Sequence, residues 1–450
     1  MRDFPSVEEL LQEKKLSGGS LALPRPLVAE ITKQVVAEQK KLFKEKNEET
    51  MVARLVDAVM KEARRFKRSE ISRVVNATGI VVHTNLGRAP LSDDLFDAIK
   101  KTVTGYGNIE FDMARGVRGK RGEACEKYLA LLSGAEAGTV VNNCAAALFV
   151  ILNTLANRKE VVISRGELVQ IGGGFRMHEV CIRSGARLAE VGATNITTID
   201  DYESGLNDRT ALILKVHQSN FVQRGFTAEV SLKDMVALGK KHNLPVIDDL
   251  GSGVFVPTRD ILGYAEPTVQ QSVRDGATMT CFSGDKMLGG GQAGLIVGKA
   301  DYVKKIKRNS LFRALRVDKI VFSMLERLLS YYLSGDWSSE IKLWSILSVA
   351  ESELYARGKE MLSKLGNPSG LSVEATSGFV GGGALPESSI PSVGICFSTD
   401  YKPTTLARKF RELSPPIIGR IDDERFILDL RAVDQADLIL LEQAIREVIG

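Results

Sequence analysis

Between about Glu136 and Lys299, apolar runs of strand length alternate with helical or loop stretches, and few charges fall inside the runs. They are Gly138 to Val141, Glu160 to Ile163, Arg187 to Val191, Ala211 to Val216, Leu244 to Ile247, Met279 to Phe282 and Gly294 to Val297. A strand with one wet face alternates apolar and polar residues. Near-continuous apolar strands spaced by helices require a largely parallel sheet covered on both faces, so the pattern predicts a doubly wound α/β layer structure. Ligands in such sheets sit at the carboxyl ends of the strands, which makes the residues following each run the candidates for chemistry.

Three of those strand ends are informative. The first run ends in Asn142, Asn143 and Cys144 and passes into an Ala- and Leu-rich helix, so the free amides around Cys144, Ala145 and Ala146 form an anion site. The run Leu244 to Ile247 is followed by Asp248 and Asp249, which place carboxylates at the mouth of the sheet; a capping or turn Asp explains one of them well and two less well. The last pair of runs brackets Ser283, Asp285 and Lys286, with glycines at Gly284 and Gly289 to Gly291 that allow close backbone approach. A lysine that caps a turn is the plain reading of Lys286. A buried amine that forms an imine with an aldehyde is the chemical one. A phosphate cradle, an acid and an amine on adjoining strand ends are the set that pyridoxal phosphate (PLP) requires, with Asp248 taken as the partner of the pyridine nitrogen and Ser283 as a phosphate contact.

Composition narrows the class. The 450 residues are 44% hydrophobic and 26% charged with a formal net charge of +4, which excludes disordered and fibrous chains and calls for a large domain plus smaller ones. Cys125, Cys144, Cys181, Cys281 and Cys396 are odd in number and never form a CxxC pair, so neither a disulfide framework nor a metal site is expected, and a reducing cytoplasm fits best. The uncharged stretch Ala137 to Asn157 contains four asparagines and a glycine, so no membrane span is expected, and the N-terminus lacks an apolar export signal.

The flanks add three features. Residues 1–70 read as a basic helical domain, with helices after Pro5, from about Pro26 to Lys46 and from Met51 to Phe66; Lys61 to Arg73 holds six basic residues against two acidic ones. That run is either a solvated helix face or a phosphate-backbone contact. Val74 to Leu91 is an apolar arm broken by Asn76, Gly79, Asn85 and Gly87, and it carries His83, read as structural, and Arg88, a candidate anion contact. After the sheet, Asp301 to Lys319 is strongly basic, and Arg313 and Arg316 share a face if this stretch is helical, where two guanidinium forks would suit a tetrahedral oxyanion. The large domain with its arm spans 71–335. A small α/β domain follows at 336–450, with a β-hairpin across Pro416 to Arg431 and Arg420 or Arg431 as a partner for a substrate carboxylate.

Six blocks resemble one family. NATGIVVHTNLGRAPLS at Asn76 to Ser92, SRGELVQIGG at Ser164 to Gly173, IDDLGSG at Ile247 to Gly253, SGDKMLGGGQAG at Ser283 to Gly294, LFRALRVDK at Leu311 to Lys319 and PPIIGRI at Pro415 to Ile421 are similar to the bacterial selenocysteine synthases, the L-seryl-tRNA(Sec) selenium transferases. The resemblance covers nearly the whole chain. It implies PLP-dependent fold type I, as in aspartate aminotransferase, and conversion of seryl-tRNA(Sec) to selenocysteinyl-tRNA(Sec) with selenophosphate through a PLP imine and a dehydroalanyl intermediate. It further implies that Lys286 carries the cofactor with Asp285 in the active centre, that Arg88, Arg313 and Arg316 hold the donor's phosphate, that the N-terminal helices bind tRNA, and that subunits assemble into a ring of dimers. Cys144, Gly291 and Ser310 depart from the family's usual asparagine, proline and proline. A PLP-dependent lyase or transferase acting on a small free amino acid would share the lysine, acid and phosphate loop, but has no use for a basic N-terminal domain or the arginine pair. A fold retained only for RNA binding or assembly would bind no PLP.

Overall fold

The computed structural model describes residues 4–17, 22–42, 48–171, 174–218, 221–382 and 388–450. Two compact units divide the chain, Met1–Val74 and Val75–Gly450.

In the first unit, helices α1 (Val7–Gln12), α2 (Arg25–Leu42) and α3 (Glu48–Ser69) close over a small core that includes Leu10, Ile31, Leu55, Val59 and Ala63. The last residues expected in the second helix, 43–46, lie outside the described residues. Ser6 starts α1 with a capping box, its hydroxyl accepting from the Glu9 amide while the Glu9 carboxylate accepts from the Ser6 amide. Every fourth or third residue of α3 is apolar, which leaves Lys61, Arg64, Arg65, Lys67 and Arg68 exposed on the other side. Lys14, Lys15, Lys61, Arg64, Arg65 and Arg68 line one broad hollow on this unit.

In the second unit the seven expected runs are seven strands: β1 (Ala137–Val141), β2 (Glu160–Ser164), β3 (Arg187–Val191), β4 (Thr210–Val216), β5 (Val246–Gly251), β6 (Met279–Ser283) and β7 (Gly294–Gly298). They form one sheet in the order β1-β7-β6-β5-β4-β2-β3. All neighbours are parallel except β7, which runs antiparallel to both β6 and β1. Successive side chains leave opposite faces. Val141, Ile163, Leu212, Ile247, Cys281 and Ile296 pack in one core with helix α4 (Cys144–Leu155), whereas Val162, Ile213 and Val246 enter a different one with Met235 and Val236.

A second sheet carries the C-terminal part, in which β8 (Leu371–Gly381), β9 (Ser389–Phe397), β10 (Arg420–Asp422) and β11 (Arg425–Asp429) are antiparallel neighbours in the order β10-β11-β9-β8. The expected hairpin is thus β10 and β11. The arm adds the fifth strand, Ile80–Val82, parallel to β8, and its Val75–Asn76 pairs with Ile417–Ile418. Neither arginine proposed for a substrate carboxylate is available for one. Arg420 donates to Asp429 (2.6 Å) and to the Thr78 carbonyl (2.8 Å), and Arg431 donates to the carbonyls of Val349 and Pro391. Arg420 ties the arm to the C-terminal sheet, and Arg431 ties that sheet to the segment at Val349.

The basic stretch after the sheet is not one helix. Ala300–Arg308 is helical, Asn309 then caps a short 3-10 turn over Ser310–Arg313, and Asp318 caps α5 (Lys319–Ser334). With two caps inside ten residues the backbone cannot continue its helix, so Arg313 and Arg316 do not share a helix face.

Candidate active site

A cavity of about 280 Å³ lies at the carboxyl ends of β4, β5 and β6 and the start of α4. It is lined by Arg88, Asn143, Cys144, Ala145, Met177, His217, Asp249, Ser283, Asp285 and Lys286, among others. Lys286 is buried, 8% exposed, in the turn that leaves β6. That turn is held by its own backbone, with Gly289 N–H donating to the Lys286 carbonyl (3.0 Å) and Gly290 N–H to that of Gly284 (2.9 Å). Facing the amine is Gly251 at φ +69°, where a Cβ would stand 3.8 Å from Lys286 Nζ. A side chain there would be strained and would narrow the floor of the cavity.

Of the three amides expected to be free at the start of α4, those of Cys144 and Ala145 are, and that of Ala146 is taken. Asn143 caps α4, its side chain accepting from the Ala146 amide at 2.8 Å, which leaves the first-turn amides of Cys144 and Ala145 without intrahelical partners on the cavity wall. Gly294 of β7 passes so near that a Cβ would overlap the Asn143 carbonyl, so glycine is required for the sheet to approach this loop. Asn142 does not line the cavity. Its amide donates to the Leu315 carbonyl (3.0 Å), and its Oδ1 is buried without a protein partner.

The aspartate that lines this cavity is Asp249; Asp248, the expected partner of the pyridine nitrogen, does not line it. On β5 the two side chains leave opposite faces of the sheet. Asp248 accepts from Ser272 Oγ at 2.6 Å, on the side away from Lys286, and burial pushes its pKa up to about 6 despite that bond. Asp249 lines the cavity, accepts from Cys144 Sγ at 3.5 Å, and is raised by burial while the Lys286 charge pulls it back. The two halves of the Asp-Asp pair thus serve opposite cores.

Asp285 meets the arm. Arg88, a non-glycine residue at φ +67°, donates through Nη1 to Asp285 Oδ2 at 2.8 Å, and the Ala89 amide donates to the Asp285 carbonyl. His83 Nδ1 accepts from the Asn85 amide at 3.2 Å. Arg313 and Arg316 are exposed and do not line this cavity; Arg316 lies in another cleft beside Glu110.

Two wall residues escaped sequence reasoning. His217 ends the reach of β4, and burial together with the nearby Lys215 and Lys286 lowers its pKa to about 4, so it faces the cavity as neutral imidazole. Met177 comes from the helix Met177–Arg183. For His217 a signal existed, since it follows the apolar run Ala211 to Val216. Met177 had none. Glu167 is buried and tied to Lys215 Nζ (3.3 Å) and the Val216 amide (2.9 Å), with burial raising it to about 7.

An amine, a buried acid and a helix-terminal anion cradle around one cavity fit PLP, and fold and site together define a PLP-dependent enzyme of fold type I. The solved D-glucosaminate-6-phosphate ammonia-lyase shares the fold, with a TM-score of 0.62 at 20% identity over 85% of this chain and 97% of that one. The family model for L-seryl-tRNA selenium transferase matches residues 74–434, and the chain belongs to that family. Curated relatives named L-seryl-tRNA(Sec) selenium transferase include that of Aquifex aeolicus, 38% identical over 100% of this chain and 99% of the relative, and that of Geotalea daltonii, 40% identical over 100% and 99%.

Proposed function

We propose that this chain converts L-seryl-tRNA(Sec) to L-selenocysteinyl-tRNA(Sec). The observation that carries the reading is the placement of Lys286 against Asp249 and the α4 amides in one cavity, in a chain of this family. PLP, when bound, supplies an electron sink for the substrate's α-carbon. Lys286 would hold the cofactor, and its Nζ would take and return the substrate's α-proton. Asp249 would keep the pyridine nitrogen protonated, and the amides of Cys144 and Ala145 with Ser283 would hold the phosphate. Asn143 fixes that loop by its cap.

Arg88 and Asp285 stand as an ion pair on the cavity wall. Arg88, Arg313 and Arg316 hold the phosphate of selenophosphate, and because Arg313 and Arg316 stand outside the cavity of one chain, we place their contribution at a contact between subunits, as a ring of dimers would provide. The exposed basic residues of α3 contact the tRNA backbone, a surface that a free-amino-acid enzyme does not need. Five free cysteines suit a cytoplasmic setting. No described helix is long and apolar enough to cross a membrane.

The test is direct. Seryl-tRNA(Sec) and selenophosphate supplied to the purified PLP-bound protein should give selenocysteinyl-tRNA. Turnover of free serine or another small amino acid with no product on tRNA would favour the lyase reading.

A further inference from the structure

Cys144, Asp249 and Cys281 lie far apart in sequence and reach one point from three elements: the first residue of α4, the carboxyl end of β5 and the middle of β6. Their ligand atoms all lie within 4.8 Å of one another. We propose that these three side chains form a site for a thiophilic divalent cation, with Zn²⁺ the fitting ion and the fourth coordination position open to the Lys286 cavity.

The donor set selects the ion. Two thiolates and one carboxylate are too soft for Mg²⁺ or Ca²⁺ and suit a tetrahedral zinc-like ion. With Zn–S near 2.3 Å and Zn–O near 2.1 Å, tetrahedral ligand atoms stand roughly 3.5–3.8 Å apart, so the present cluster needs to contract by no more than about 1 Å. Cys144 Sγ and Asp249 Oδ1, at 3.5 Å, already have that spacing. Cys144 and Asp249 line the cavity, while Cys281 is fully buried behind them, so an ion enters from the cavity and completes its shell with water or a substrate atom. Ligation releases the thiol protons.

The site has a consequence that rests on the reading of Asp249 as the cofactor's acid. An ion bound there takes Asp249 from the pyridine nitrogen, so cation and PLP compete for the same protein.

The full-length protein, freed of PLP and kept reduced with a phosphine, is titrated with Co²⁺ as a coloured stand-in for zinc. The expected result is a near-ultraviolet thiolate-to-Co²⁺ charge-transfer band that saturates at one ion per chain, collapses on adding Zn²⁺, is lost in Cys144→Ala and is retained in Cys125→Ala. No band with excess Co²⁺, or a full band in Cys144→Ala, overturns the site. Should Cys144→Ala disturb folding, Cys144→Ser offers Asp249 a hydroxyl donor in place of the thiol while removing the soft ligand, and a full band there overturns the site equally. PLP binding is read separately from its visible absorbance. A protein that binds PLP but no Co²⁺ sinks the cation site alone, one that binds Co²⁺ but no PLP sinks the cofactor reading alone, and an undiminished band with PLP bound overturns the competition.

Discussion

Exchanging one acid at a time on β5 separates the two roles. Burial lifts the Asp248 pKa from 3.8 to about 6. At about 1.4 kcal/mol per pH unit, ionising that carboxyl in the fold at neutral pH costs about 3 kcal/mol. Because the folded value lies above the unfolded one, this stability is fully present below pH 3.8 and is lost as pH rises through about 6. Asp248→Asn keeps an oxygen to accept from Ser272 and has no charge to bury, so it should be at least as stable as the parent at pH 7. It should also lack that share of the fall in stability between about pH 4 and 6. Asp249→Asn removes instead a charge-assisted bond to the cofactor, worth about 1.5–3 kcal/mol, which corresponds to roughly a 10- to 150-fold loss in the chemical step. Urea midpoints of PLP-free protein across pH 4 to 7 test the first variant, and single-turnover conversion of seryl-tRNA(Sec) tests the second. An Asp248→Asn protein with crippled turnover beside an active Asp249→Asn protein would refute the assignment of faces.

Further substitutions probe the rest of the site. Lys286→Ala should lose both the visible absorbance of bound cofactor and turnover; normal turnover would sink the mechanism. Arg313→Ala should lose selenium transfer while retaining PLP, and loss of PLP instead would mean that the two phosphate sites have been exchanged. Removing residues 1–66 should abolish tRNA binding and leave PLP bound, since the second unit has its own cores; unchanged affinity with an unchanged salt slope would clear the N-terminal helices of that role. Gly294→Ala drives a Cβ into the Asn143 carbonyl and should cost about 1–3 kcal/mol in denaturant titration, with weaker PLP binding because the cradle must move.

The sequence by itself determined the seven strands, the largely parallel layering, the free amides at Cys144 and Ala145, and Lys286 in its glycine turn. Each of these is a local property: hydrophobic period, capping chemistry and the backbone freedom of glycine act within a few residues. Only the tertiary structure decided which of two adjacent aspartates faces the Lys286 cavity, because a strand reverses face at every residue and the covering helix settles which face is which. It also turned Arg420 and Arg431 inward as ties and broke the presumed helix face of Arg313 and Arg316. The remaining site residues, His217, Met177 and the Cys144–Asp249–Cys281 cluster, meet through packing between elements distant in the chain, and no spacing along the sequence carries that information.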